Sequence, residues 1–362
     1  MFQVEPTLVE VWRGDLVESR HRCRYAVVDT GGHVVASAGD VVAPVYARSA
    51  IKLLQAIPLI ESGAAAALAL DQAELAVACA SHGGEPRHVA TVQRLLARTG
   101  LGSADLACGV HPPGNAAAAA ALWRAQGEPS ALHHNCSGKH AAMLTVCRHL
   151  GEPIRDYFRP DHPQQRRVAA VLEAMLGVSL AGAPSGIDGC GLPQIGMPLA
   201  ALARAMARFG APDDLPPDRA AACRTLAAAV VAEPFMLAGS ERYCTRVITA
   251  CAGAVLVKTG AEGVYVGALP AAGLGIAVKV DDGAARAAEA LMSHLLLVYA
   301  DAGLTGARPT GAGLTGAGLT GAGFTGAGLT EEARRWLLGL LPVPVLNATG
   351  RVVGRIAVLA DG

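Results

Sequence analysis

The β-rich stretches sit at the two ends of this chain, and a long run of helical pattern separates them. Residues 8–12 alternate apolar and polar side chains, residues 24–28 are rich in β-formers, and Asp29-Thr30-Gly31-Gly32 forms a turn before residues 33–35. Near the other end, residues 254–258, 264–269, 276–280 and 352–358 have the same character. Strands need neighbours to satisfy their backbone groups. A chain laid out this way closes one sheet by pairing its two termini, and the intervening helices cover it. The expected fold class is therefore α/β, with a mixed sheet of paired terminal strands covered by helices.

Between the strands, apolar spacing predicts helices over 49–62, 87–99, 116–126, 141–150, 161–176, 198–209, 217–231, 239–252 and 283–300. Asp71 and Glu74 have the spacing of a capping box ahead of another helix reaching Ala80. Glycines and prolines mark loops at 81–86, 108–114, 133–140 and 185–193. Residues 303–330 repeat Gly-Leu-Thr-Gly-Ala, a period of five that matches neither helix nor strand. That stretch reads as a surface insertion in a single domain spanning residues 1–362.

The 30 basic residues are balanced by 30 acidic ones, which gives no field favouring nucleic acid or an anionic membrane surface. No apolar run approaches the roughly 18 residues of a spanning helix, and the first residues lack a signal-peptide pattern. Nine scattered cysteines form no disulfide framework. The expectation is a cytoplasmic protein with free thiols.

Several of the polar residues have chemical potential. Ser49 and Lys52 are three apart at a helix start, so on a helix they share a face. A desolvated lysine is a base able to activate a serine hydroxyl, and Arg48 beside the pair offers a carboxylate clamp. Ser81 and the later Lys258-Thr259-Gly260 follow in the order used by active-site-serine amidohydrolases, S-x-x-K first and K-T-G on a later strand. Two such serine–lysine pairs in one pocket would keep one lysine neutral. Cys136 and Cys190 lie in glycine-containing loops and could ligate zinc with nitrogen donors, Lys139 among them once deprotonated. The chain offers no C-x₂₋₄-C pair at these positions, so spacing leaves both zinc and buried free thiols open. The zinc deaminase signature is absent.

Together, Arg48-Ser49-Ala50-Ile51-Lys52, Ala80-Ser81-His82-Gly83-Gly84-Glu85-Pro86, Asn135-Cys136-Ser137-Gly138-Lys139-His140, Asp188-Gly189-Cys190-Gly191-Leu192-Pro193 and Lys258-Thr259-Gly260-Ala261-Glu262-Gly263 resemble the Rhizobium etli-type L-asparaginases of the asparaginase II family. Val11-Trp12-Arg13-Gly14, Glu18-Ser19-Arg20-His21-Arg22 and the stretch from Asn347 to Gly354 fit as well. The resemblance implies hydrolysis of L-asparagine to L-aspartate and ammonia, a fold similar to serine β-lactamases and glutaminases, a homodimer and a zinc site. Carried onto this chain, it implies catalytic pairs Ser49–Lys52 and Ser81–Lys258, zinc ligands Cys136, Lys139 and Cys190, and pocket residues Arg48, His140 and Asp188. Ser49 is taken as the nucleophile, with oxyanion donors expected near Ser49 or the Gly83-Gly84 loop. Cys23, Leu53 and the five-residue repeat depart from the family's pattern. The alternatives are a β-lactamase- or peptidase-like serine hydrolase, or a non-catalytic paralogue that binds a small amino acid.

Overall fold

A computed structural model describes residues 5–300 and 328–359. Most of the Gly-Leu-Thr-Gly-Ala stretch lies outside the described residues. The chain divides into two compact units. Unit 1 comprises Met1–Val45, Met197–Ala211 and Ala250–Gly362, and unit 2 comprises Tyr46–Gly196 and Pro212–Thr249.

Unit 1 is a sheet of eight strands: β1 (Thr7–Arg13), β2 (Leu16–Asp29), β3 (Val34–Ala38), β4 (Leu256–Thr259), β5 (Val264–Leu269), β6 (Leu274–Val280), β7 (Val343–Leu346) and β8 (Val352–Val358). Their order is β7-β8-β1-β2-β6-β5-β4, with β3 against β2. As the strand positions required, the termini pair: β1 runs antiparallel to β8, with Val9 opposite Val358 and Arg13 opposite Gly354. The recorded pairings of this sheet are all antiparallel.

The middle of the sheet is buried on both faces, so its strands read as apolar runs rather than alternating ones. Every residue of β5 is buried. The helix Leu199–Gly210 covers one face, and Gly275 on β6 lets it approach closely: a Cβ there would run into the backbone of Ala203 and Ala207. Gly267 on β5 stands against Met292 of the helix Ala285–Tyr299.

Unit 2 is mainly helical. The capping box at Asp71 and Glu74 forms as the spacing predicts, starting the helix Gln72–Ala78. At its centre lies the helix Ser137–His149, in which Ser137 through Cys147 are all buried. It begins four residues before the helical pattern predicted. Gly138 reads as a loop glycine, yet a Cβ there would strike the Val77 carbonyl, so its role is close helix packing. The expected helix over 49–62 is also divided. A 3₁₀ turn (Arg48–Ile51) leads into the short helices Lys52–Gln55 and Ile57–Glu61.

Candidate active site

The site in unit 2 starts from Lys52, a lysine with no solvent exposure. Lysines are almost never fully buried without partners. The Lys52 Nζ has three: the Ala80 carbonyl at 2.6 Å, the Ser81 hydroxyl at 2.9 Å and the Asn135 carbonyl at 3.3 Å. Burial pushes its pKa below the ordinary value, partly countered by the charge on Cys136.

The expected Ser49–Lys52 hydrogen bond is not formed. Ser49 lies in a 3₁₀ turn and Lys52 opens the next helix, and the amine is taken up by groups from other segments. Arg48 there holds a left-handed backbone with φ of 51°, and its N–H donates to the Gln194 side-chain oxygen at 3.2 Å. Lys52 instead couples to Ser81, which follows the helix Gln72–Ala78.

His82, Ser137, His88 and Phe235, to which sequence reasoning gave no role, hold the Ser81 loop. The His82 Nδ1 accepts from the Gly84 N–H at 3.1 Å, which leaves its Nε2–H to donate to Ser137 Oγ at 3.0 Å. Ser137 Oγ in turn donates to the Leu132 carbonyl at 2.9 Å. The His82 ring stacks on His88, and His88 stacks on Phe235. Burial drives the His82 pKa well below its ordinary value, so the ring is neutral. A serine–histidine dipeptide followed by two glycines is the available signal, and by itself it reads as an ordinary turn. The Ser81 N–H donates to the Leu237 carbonyl and the Gly84 N–H to His82, so neither is an oxyanion donor as they stand.

The thiol pair does assemble. Cys136 caps the helix that carries Lys139, and Cys190 lies past the strand Ser185–Ile187. Ligating atoms of Cys136, Asp188 and Cys190 all lie within 4.8 Å of one another. Lys139 Nζ donates to Cys190 Sγ at 3.3 Å. The hydrogen bond from Cys190, aided by Lys52 and Lys139, holds the Cys136 thiol well below its usual pKa; the same bond and burial push Cys190 up. Burial by itself would lower the Lys139 pKa, but Cys136, Cys190 and Asp188 more than offset it. The result is a buried thiolate beside an ammonium. Two sulfurs and a carboxylate, joined by the Lys139 amine once it loses its proton, form a donor set that fits zinc.

Arg48 and Asp188 meet each other: Nε donates to Oδ1 at 2.7 Å, and Gly189 N–H donates to the same oxygen at 2.9 Å. His140 is fully buried, with the Tyr157 hydroxyl 2.6 Å from its Nδ1. The Ala107 N–H donates to that hydroxyl, so Tyr157 gives its proton to His140. The neutral ring then carries hydrogen on Nε2, which has no partner among the described residues. A buried unpaired donor costs about 1–3 kcal/mol, a penalty relieved by an acceptor brought in from outside.

With those motifs assembled, the family match is interpretable. The chain belongs to the L-asparaginase II family. The match spans residues 9–305 and takes in each of the five motifs described above. The search of curated proteins finds no match. Among solved structures, a β-lactamase from Mycobacterium bovis is 16% identical over 72% of this chain and 88% of that one, with a TM-score of 0.35. Family membership places the chain with amidohydrolases. Lys258 lies in unit 1, on β4, where it is wholly buried and its amine donates to the Thr259 carbonyl at 2.9 Å. Among the described residues, no helix is long and apolar enough to cross a membrane.

Proposed function

We propose that the protein is an L-asparaginase of the Rhizobium etli type, hydrolysing L-asparagine to L-aspartate and ammonia with a lysine-activated serine. The observation that carries this reading is the buried 2.9 Å contact between Lys52 Nζ and Ser81 Oγ. It favours Ser81 over Ser49 as the nucleophile. As a neutral amine, Lys52 can give its two hydrogens to the Ala80 and Asn135 carbonyls, which leaves its lone pair for the Ser81 proton.

Attack of Ser81 Oγ on the side-chain amide carbon forms the C–O bond while Lys52 takes the proton. The C–N bond then breaks and that proton leaves with ammonia. Water, deprotonated by Lys52, hydrolyses the resulting ester and frees aspartate. Arg48 keeps guanidinium N–H groups beyond the one committed to Asp188 and takes the substrate carboxylate. Asp188 receives the ammonium, and the unpartnered His140 Nε2–H donates to a substrate oxygen.

Cys136, Lys139 and Cys190 would hold zinc, which supplies a fixed positive charge that orients substrate. A cytoplasmic homodimer completes the reading. The test is ammonia release by the purified protein from L-asparagine against L-glutamine, with penicillin acylation as the control. Asparagine turnover without acylation is the expected result. Acylation, or no release from either amide, overturns it.

A further inference from the structure

Unit 1 carries an open cavity of about 620 Å³ lined by Thr7, Arg20, Arg22, Asp281 and Asp282. The motif Glu18-Ser19-Arg20-His21-Arg22 supplies two of these residues, and the proposed reaction uses none of them. Arg20 and Arg22 are two apart on β2, so they project from the same face. His21 turns to the other side, where it is 4% exposed. Its Nδ1–H donates to Asp282 Oδ2 at 2.6 Å, and its Nε2 accepts from Arg286 at 3.2 Å. Asp282 Oδ1 accepts the Ala284 N–H at 3.0 Å, so Asp282 is fixed at both oxygens and shapes the rim.

The remaining groups are less committed. The β1–β2 register shifts between Thr7 and Val9, a bulge that sets Thr7 opposite Arg22. Bulges re-aim side chains next to sites. The Asp281 N–H donates to the Arg22 carbonyl at 2.9 Å and holds the two residues side by side. Their side chains stand 3.5 Å apart at closest, and both are exposed. Such a surface pair contributes little and is readily exchanged for a ligand. Arg20 reaches Glu10 through Nε at 3.0 Å.

We infer that this cavity binds a zwitterionic α-amino acid. Arg22 and Arg20 receive the α-carboxylate with help from the Thr7 hydroxyl, and Asp281 receives the α-ammonium. Guanidinium forks match a carboxylate in shape as well as charge. A simple anion would have Asp281 and Asp282 against it, and a simple cation both arginines. Only a ligand with the two charges close together answers both pairs. The volume is in the range of small-molecule sites, about 300–1,000 Å³. The inference does not rest on the proposed reaction.

Calorimetric titration of L-aspartate into the full chain and into Arg22→Gln tests it. The variant is expected to lose one aspartate site per chain, or to weaken it at least about tenfold, with the circular dichroism spectrum and asparagine turnover unchanged. Asp281→Asn, the isosteric second variant, is expected to abolish the preference for aspartate over succinate, which lacks the ammonium. Identical isotherms for the wild type and both variants overturn the inference. Succinate binding as tightly as aspartate to the wild type overturns it in favour of an anion site. A change in gel-filtration mass in either variant without loss of aspartate binding overturns it in favour of a contact between copies. Because binding is measured directly, an inactive protein refutes the proposed reaction and leaves this result readable.

Discussion

The centres of the two units are built on opposite principles. In unit 1, β5 and β6 bury a nearly continuous apolar run between two helices. In unit 2, the central helix Ser137–His149 buries Ser137, Lys139, His140 and Thr145 along with its apolar residues, and Lys52 and His82 are buried with them. An apolar centre stabilises simply by leaving water. A polar one is costly unless each group is partnered, and the partners there are specific. The contrast separates scaffold from chemistry: substitutions in the first should cost stability, and those in the second activity.

The sharpest way to break that contrast is Ser81→Ala. It should lower kcat for asparagine by about 10³-fold or more at unchanged melting temperature. Ser49→Ala should cost far less. A steady-state comparison in which their order is reversed would make Ser49 the nucleophile. Lys52→Met should match the Ser81 loss in kcat while leaving thermal stability intact or raised, because it removes a buried charge-bearing group. A large fall in melting temperature would show that Lys52 is a structural strut instead.

In the apolar centre, Leu269→Ala should destabilise by about 2–5 kcal/mol in urea titration, with kcat/KM per folded molecule unchanged. Chelation should raise KM for asparagine by about tenfold and move kcat less, alongside loss of zinc by elemental analysis. Complete loss of turnover at saturating asparagine with the fold intact contradicts this.

The smallest effect concerns pH. Burial holds His82 and His88 below their ordinary titration point. Below about pH 6.5 the unfolded chain binds protons that the native rings refuse. Stability contributed by neutral burial is therefore full above that pH and falls as pH drops toward the depressed native values. A urea midpoint that stays constant between pH 8 and pH 5.5 would exclude it.

Much of unit 1 was legible from local pattern. Strand periodicity and the placement of strands at both ends determined the terminal pairing, because unpaired strand edges are unfavourable and the chain offers few other partners. The Asp71 capping box was equally local, since its donors and acceptors are three residues apart. The five motifs likewise contain Lys52, Ser81, Cys136, Asp188 and Cys190, whose side chains meet in the contacts of unit 2.

What they did not determine was which residue meets which. Ser49 and Lys52 are neighbours in sequence, yet the amine bonds to Ser81, 29 residues away. His82 and Ser137 reach each other across 55 residues, and Gly138 extends a helix through what reads as a loop because the Val77 carbonyl leaves no room for a Cβ. Residue types and spacing decide which chemistry a chain carries. Which partners that chemistry has is decided by close packing, because a hydrogen bond depends on tenths of an ångström that only the folded arrangement sets.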